Sequence, residues 1–359
     1  MKKIFVTEPV IPEKAVFYKY LDRALDSKRL SNDGPLVNEL NEKLCEYLDV
    51  ENILLVSNGT AAISLATKVL DVKKDVLTTP FSWVASSSTP MWDGISIKYS
   101  DISKSTFNMD VNLINKKLLS EPVGAILPVH VYGCPADVIR IDAATKDSNI
   151  PVIYDAAHAF GVKFQGKSIL NFGDISTLSL HSTKLFHTVE GGLLAFKDSN
   201  ALEEGKMLIN FGQKNGLFER LGFNFKLSEV HAAMGLALLH NIDKVIERKK
   251  YIFEYYYKYL KDAVVFQEMN HLTDWNYAYC PILIESESKV LSVLKSLEDK
   301  LIFARRYFYP SLNTLKFLPN NPDCSVSEDI SSRVICLPSF QNLQDLEMDL
   351  IINTVLEKC

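Results

Sequence analysis

STLSLHSTKLFHTVEGG, residues 176–192, is the stretch from which the rest of the chain can be read. Its first half is rich in β-favouring residues. Its second half closes in a turn ending at Gly191 and Gly192. Lys184 stands between the two, flanked by Thr183 and Leu185 rather than by other charges. A lysine drawn out of water loses its ammonium form more readily, and the resulting free amine is a nucleophile able to form an imine. Taken alone, the segment is better described as a loop carrying a surface lysine. His181 and His187 flank it, and spacing assigns neither a role.

Two upstream segments change that reading. In VIYDAAHAFG (152–161), Asp155 ends a buried-looking strand, where open α/β sheets place ligand contacts. A carboxylate there either caps the following turn or meets a cationic partner such as a protonated ring nitrogen. In SNGTAAI (57–63), a strand runs through a glycine turn into a helix. A helix N-terminus offers unpaired amides and a positive dipole end to a phosphate. By itself that turn is an ordinary helix cap. A phosphate turn, a strand-end aspartate and a lysine after a later strand, in that chain order, is what a pyridoxal 5'-phosphate (PLP) site requires. Ser179 is a second candidate phosphate ligand.

Further outward, short apolar runs alternate with helical patterns from about residue 50 to 200. The strand candidates are 53–57, 76–79, 95–101, 123–130, 151–157, 176–182 and 191–196. Several are apolar without alternation, as expected of strands buried on both faces. The alternation predicts an α/β fold with a largely parallel sheet. Ser228 reads as the cap of one long helix running to about residue 260. Past it lie strand-like runs at 277–284 and 334–339 and helical stretches at 287–300 and 343–357. The expected division is a large domain over 1–245 and a smaller α/β domain over 246–359.

Composition narrows the function classes. The 359 residues are 47% hydrophobic and 23% charged, with a formal net charge of −5, which is ordinary globular composition. No long run of like charge suggests a nucleic-acid arm, and no apolar run approaches the ~18 residues of a membrane span. A cytoplasmic protein is expected. The six cysteines are scattered, with no CxxC pair and no zinc spacing, so no metal site is expected.

The motifs together resemble the DegT/DnrJ/EryC1/StrS family of PLP-dependent sugar aminotransferases. The likeness runs from LSNDGPLVNELNEKLCEYL (30–48) to ARRYFYPSL (304–312). It is strongest at SNGTAA, TTPFSWVAS, AILPVHVYG, YDAAHAFG, SLHSTKLFHTVEGG and GFNFKLSE. It implies the aspartate-aminotransferase fold type (fold type I). By resemblance, Lys184 forms the Schiff base and shuttles protons, and Asp155 pairs with the pyridine nitrogen. Trp83 stacks on the ring, His158 sits near its hydroxyl, and Gly59, Thr60, Ala61 and Ser179 hold the phosphate. Asn224 is implied to reach the phosphate of a partner subunit, in a homodimer with shared active sites. Arg305, Arg306 and Tyr309 are implied for the nucleotide-sugar side. The implied reaction moves an amine from an amino acid, L-glutamate, through pyridoxamine phosphate to a keto-sugar nucleotide. Within the family the likeness is to enzymes aminating C4 of dTDP-4-keto-6-deoxyglucose, with C3 amination as the alternative. Relatives with histidine at the lysine position are dehydratases, and this chain keeps Lys184. A dinucleotide reductase would need GxGxxG, which SNGTAA does not supply. A non-catalytic sensor of a sugar nucleotide or of PLP stays open.

Overall fold

The computed structural model describes residues 2–319 and 324–359. Seven strands build the central sheet: β1 (Ile53–Val56), β2 (Val76–Thr78), β3 (Ile97–Tyr99), β4 (Ala125–Leu127), β5 (Ile153–Asp155), β6 (Ile175–Ser179) and β7 (Gly192–Phe196). Their order is β1-β7-β6-β5-β4-β2-β3. Two isolated bridges, Ile126 to Val152 and Val129 to Asp155, join β4 to β5. The three-strand run β4-β2-β3, the β4–β5 bridges and the β5–β6 pair are all parallel. Only β7 runs antiparallel to both its neighbours. The connection between β6 and β7 contains no helix, and a parallel partner would demand a crossover, usually helical. The sheet is therefore mostly parallel as expected, and the exception lies beside the Lys184 loop. Every strand is shorter than its expected span, because the flanking residues leave the ladder to enter loops at the sheet's ends.

The expected single helix after Ser228 is two helices, Glu229–Leu239 and Ile242–Leu260. They break at His240 and Asn241, where Asn241 leaves helical geometry at φ −125°. The first half is apolar around most of its surface and packs on the helices Lys14–Asp26 and Pro35–Leu48. The second is amphipathic and packs on the C-terminal helix Asp345–Leu356. The two faces point at different cores, so one straight helix cannot bury both. The expected boundary at 245 lies within the second helix.

The C-terminal layer is a small antiparallel sheet ordered β8 (Val265–Phe266), β9 (Pro281–Leu283), β10 (Val334–Cys336). Its core includes Ile252, Tyr256, Ile282, Val293, Ile335 and Ile351. Residues Ile4 and Phe5 pair with Ile302 and Phe303, so the N-terminal segment joins this layer. Among the described residues no helix is long and apolar enough to cross a membrane.

Candidate active site

A cavity of about 350 Å³ opens at the C-terminal ends of β5 and β6, where the loops to both sides converge. Asp155, His158, Lys184, Trp83, Gly59, Thr60, Ser179 and Arg305 all line it.

Asp155 closes β5 and is buried. Its Oδ2 accepts from the Ser86 hydroxyl at 2.7 Å, and its Oδ1 accepts from the Ala157 amide at 3.1 Å. Burial holds its carboxyl above the usual carboxylate range, while Ser86, Ala157 and the Lys184 ammonium oppose that. Ser86 in turn pairs with Ser82 at 2.8 Å. A carboxylate so placed needs a cation in the cavity to be stable as an anion.

Lys184 sits in the loop between β6 and β7. Leu180 donates to Gly191 O, Ser182 to Val189 O and Lys184 to His181 O, each at 2.8 Å, so the loop is pinned. Protein atoms surround the amine, and that burial brings it down to about 8, with Asp155 acting against it. Lys184 Nζ donates to the Tyr279 hydroxyl at 3.4 Å. The amine is thus a nucleophile and base near neutrality.

His158 Nδ1 accepts from the Tyr132 amide at 3.2 Å. That bond assigns the remaining proton to Nε2. Burial, with Lys184 nearby, holds the ring well below its ordinary value, so it is a neutral donor. The rings of Tyr132 and Phe308 lie within 7° of parallel to it, at centroid separations of 6.2 and 5.6 Å. Trp83 lines the cavity with 54% of its surface exposed, so its face is available for stacking.

The phosphate turn is built as a helix start. Asn58 caps the helix Gly59–Val69, its side chain accepting from the Ala61 amide at 2.8 Å. This engages the Ala61 amide, expected among the phosphate ligands. Gly59 and Thr60, the first helical positions, have amides with no intrahelical acceptor. A Cβ on Gly59 would lie 2.9 Å from Ser179 Cβ, so only glycine lets strand and helix close the cradle. A Cβ on Gly192 would collide with the Asn58 backbone.

Four expected residues lie off the cavity lining: Ala61, Asn224, Arg306 and Tyr309. Arg306 donates to Glu287 at 2.7 Å and to Ser332 O at 2.8 Å, and its guanidinium stacks on Tyr309. Arg306 and Tyr309 therefore form a structural cluster, whereas Arg305 turns inward over Trp83 and Tyr307. Asn224 is exposed outside the cavity of its own chain. His187 is accounted for: its Nε2 lies 2.9 Å from Val10 O, and its Nδ1 accepts from the Val189 amide, tying the loop to the N-terminal segment. His181 lines the cavity, paired with Thr183 at 2.9 Å and Glu190 at 3.5 Å. The sequence reading missed Asn58, Ser86 and Tyr279. Asn58 was legible as the polar residue before a helical run; the other two carry no local signal.

These groups fit PLP. The aspartate suits a protonated ring nitrogen, the amine an aldehyde, the neutral histidine a ring oxygen, the tryptophan face a π-system, and the helix start a phosphate. The DegT/DnrJ/EryC1/StrS aminotransferase family model matches residues 13–356. The chain belongs to that family. Members of the DegT/DnrJ/EryC1/StrS family are PLP-dependent aminotransferases, and this chain is an enzyme of that class. It is 37% identical to the dTDP-4-amino-4,6-dideoxy-D-glucose transaminase of Shigella dysenteriae, over 99% of each chain. It is 35% identical to the enzyme of the same name from Escherichia coli, over 96% of this chain and 95% of the other. The solved structure of DesI in the presence of its TDP-sugar product superposes with a TM-score of 0.93 at 27% identity, covering 99% of this chain and 92% of that one. The aspartate-aminotransferase fold expected from the motifs is the fold observed.

Proposed function

We propose that this chain binds PLP through Lys184 and transfers an amine from L-glutamate to C4 of a dTDP-linked 4-keto-6-deoxyhexose. The observation that carries the chemistry is the convergence of the buried Asp155 carboxylate and the Lys184 amine on one cavity. When bound, PLP supplies an electron sink for the carbon losing or gaining a proton. The chain's own groups do the rest. Asp155 holds a positive charge at the ring-nitrogen position. Lys184, freed from its bond to the cofactor, takes a proton from the donor's α-carbon side and later delivers one to the sugar-carbon side. General base catalysis of this kind typically contributes about 10²–10⁴-fold. His158 Nε2 donates to the ring oxygen. Gly59, Thr60 and Ser179 hold the phosphate, and Trp83 covers one face. Arg305, at the cavity rim beside Trp83, offers a planar cation to the diphosphate of the sugar nucleotide.

The acceptor reading rests on the two transaminases named for dTDP-4-amino-4,6-dideoxy-D-glucose, at 35% and 37% identity. The deciding experiment incubates the holoenzyme with glutamate and dTDP-4-keto-6-deoxyglucose and identifies the product by mass and NMR. A 4-amino sugar is expected. Silence on this ketone with conversion of the 3-keto isomer would move the reaction to C3.

The same proposal includes a homodimer in which Asn224 reaches the partner's cofactor. Support comes from exposed apolar side chains next to the phosphate turn. Trp92 is 92% and Leu221 98% exposed, and with Phe223 and Phe225 they line a groove of about 1110 Å³ that also touches Asn58, Thr60 and Glu190. Patches of this kind mark interaction sites. A catalytically active monomer in sedimentation would refute it.

A further inference from the structure

Lys184 must stay useful in two protonation states while it is not bonded to the cofactor, and the groups around it are unequal to that task. Asp155 in its ionised form accepts hydrogen bonds but donates none. His158 offers a donor from Nε2, but its Nδ1 is taken by the Tyr132 amide. Tyr279 is different. Its hydroxyl lies 3.4 Å from Lys184 Nζ and both donates and accepts.

Tyr279 is also held still. Its ring packs 4.6 Å from His158, 5.7 Å from Tyr132 and 5.6 Å from Tyr307. The preceding residue is anchored twice. The buried Lys249 donates to Ala278 O at 3.2 Å and to Ser339 O at 2.5 Å, and the Ala278 amide donates to Asn276 Oδ1 at 3.1 Å. Asn276 itself donates to His158 O and Phe160 O, both at 2.9 Å. The following residue accepts from the Leu337 amide at 3.0 Å. A hydroxyl fixed by this scaffold points at the reacting amine by construction rather than by chance approach.

We propose that Tyr279 is a catalytic residue, whose hydroxyl accepts a hydrogen bond from the Lys184 ammonium and donates one to the Lys184 amine, so holding Lys184 on line between its two proton transfers. The phenol itself gives up no proton, because burial keeps it well above its ordinary value. Nothing is consumed: when Lys184 takes a proton it donates to the Tyr279 oxygen, and when it gives one up the hydroxyl rotates to donate back. The inference rests on the assignment of Lys184 as the cofactor lysine.

The test is Tyr279→Phe, which removes the oxygen and leaves the ring packing in place. Cofactor-free protein is acylated with acetic anhydride across a pH series, and modification of the Lys184 peptide is followed by mass spectrometry. The titratable groups facing Lys184 are Asp155 and the neutral His158. Around Tyr279 lie Tyr132, Tyr307, Cys336 and Arg305. All are unchanged by the substitution. Wild-type reactivity should turn on near pH 8, where burial places the Lys184 amine. A hydrogen bond to the ammonium is stronger than one to the neutral amine, so its loss should move the inflection down by about one unit. In holoenzyme, kcat should fall roughly 10- to 100-fold through loss of alignment, with KM for the acceptor sugar unchanged. Tyr132→Phe is the control. Its hydroxyl donates to Tyr307 O at 2.5 Å and not to Lys184, so the Lys184 inflection should stay put. An inflection unmoved or raised in Tyr279→Phe overturns the proposal. So does a lowered inflection with unaltered turnover, and so does an equal shift in Tyr132→Phe. Borohydride reduction of holoenzyme separates the two levels: a pyridoxyl label on another lysine sinks the functional reading itself, whereas a label on Lys184 leaves that reading standing whatever Tyr279 does.

Discussion

Replacing Asp155 by asparagine isolates a charge from its hydrogen bonds. Asparagine has the same shape. Its Oδ1 can accept from the Ala157 amide, and its Nδ2 can donate to Ser86, whose hydroxyl then turns to Ser82. The fold should therefore survive. The sign of the stability change also follows. Burial raises the Asp155 carboxyl above its unfolded value, so the fold binds its proton more tightly than the unfolded chain does. The favourable contribution of that group exists at low pH and is lost as pH rises through the raised value. At pH 7 the cofactor-free asparagine variant should be as stable as wild type or more so, by up to about 1–3 kcal/mol for a relieved buried charge. Catalysis should go the other way. An opposite charge within hydrogen-bonding range is worth about 1–3 pKa units to its partner, so turnover should drop roughly 10- to 1,000-fold as the ring nitrogen loses its proton. Lys184 supplies an internal control. Asp155 is the influence that raises its amine, so in the variant Lys184 should titrate below its wild-type value of about 8. More free lysine with less turnover would place the loss on the ring and not on the base. The assay pairs steady-state and single-turnover rates with urea unfolding and the acylation profile of Lys184. Near wild-type turnover in a folded, cofactor-loaded variant would refute the role given to Asp155.

Gly59→Ala should weaken cofactor binding without unfolding the protein, because the added Cβ meets Ser179 Cβ at 2.9 Å and Ser179 Cα at 3.2 Å; fluorescence titration of cofactor-free protein with PLP measures it, and unchanged affinity would remove the turn from the phosphate site. Arg305→Ala should raise KM for the sugar nucleotide, whereas Arg306→Ala should leave KM alone and lower stability, since it removes the partner of Glu287 and the donor to Ser332 O; steady-state kinetics and urea unfolding separate the two, and the reverse pattern would return Arg306 to the substrate side. Lys249→Met leaves two buried carbonyls without their donor and should cost about 1–3 kcal/mol at pH 7. The Lys249 amine titrates near 8 in the fold against 10.5 in the open chain, so between those values the unfolded state binds more protons and wild-type stability rises with pH. The deficit of Lys249→Met should therefore be larger in urea unfolding at pH 9 than at pH 7, and a smaller one would contradict the placement of that charge.

The sequence by itself determined what is contiguous. The strand-turn-helix of SNGTAA, the strand-end Asp155 and the lysine loop before Gly191-Gly192 each carry their signal within a few residues, because caps, tight turns and buried strands impose local rules on composition. The alternation of strand and helix patterns predicted the α/β layer, the order of the three motifs pointed to a PLP site, and the family resemblance added Trp83; the structure brings Lys184, Asp155, His158, Trp83, Gly59, Thr60 and Ser179 to one cavity. Tertiary structure decided what depends on distant partners. Ser86 meets Asp155 across 69 residues and Tyr279 meets Lys184 across 95, and no periodicity encodes such pairs. Neighbours Arg305 and Arg306 look alike in sequence, yet successive residues of an extended segment point to opposite sides. One therefore reaches the cavity, and the other is captured by Glu287 and Ser332. The helix after Ser228 breaks at Asn241 because its halves serve two cores, and a pattern read along one helix carries no record of which core each face will find.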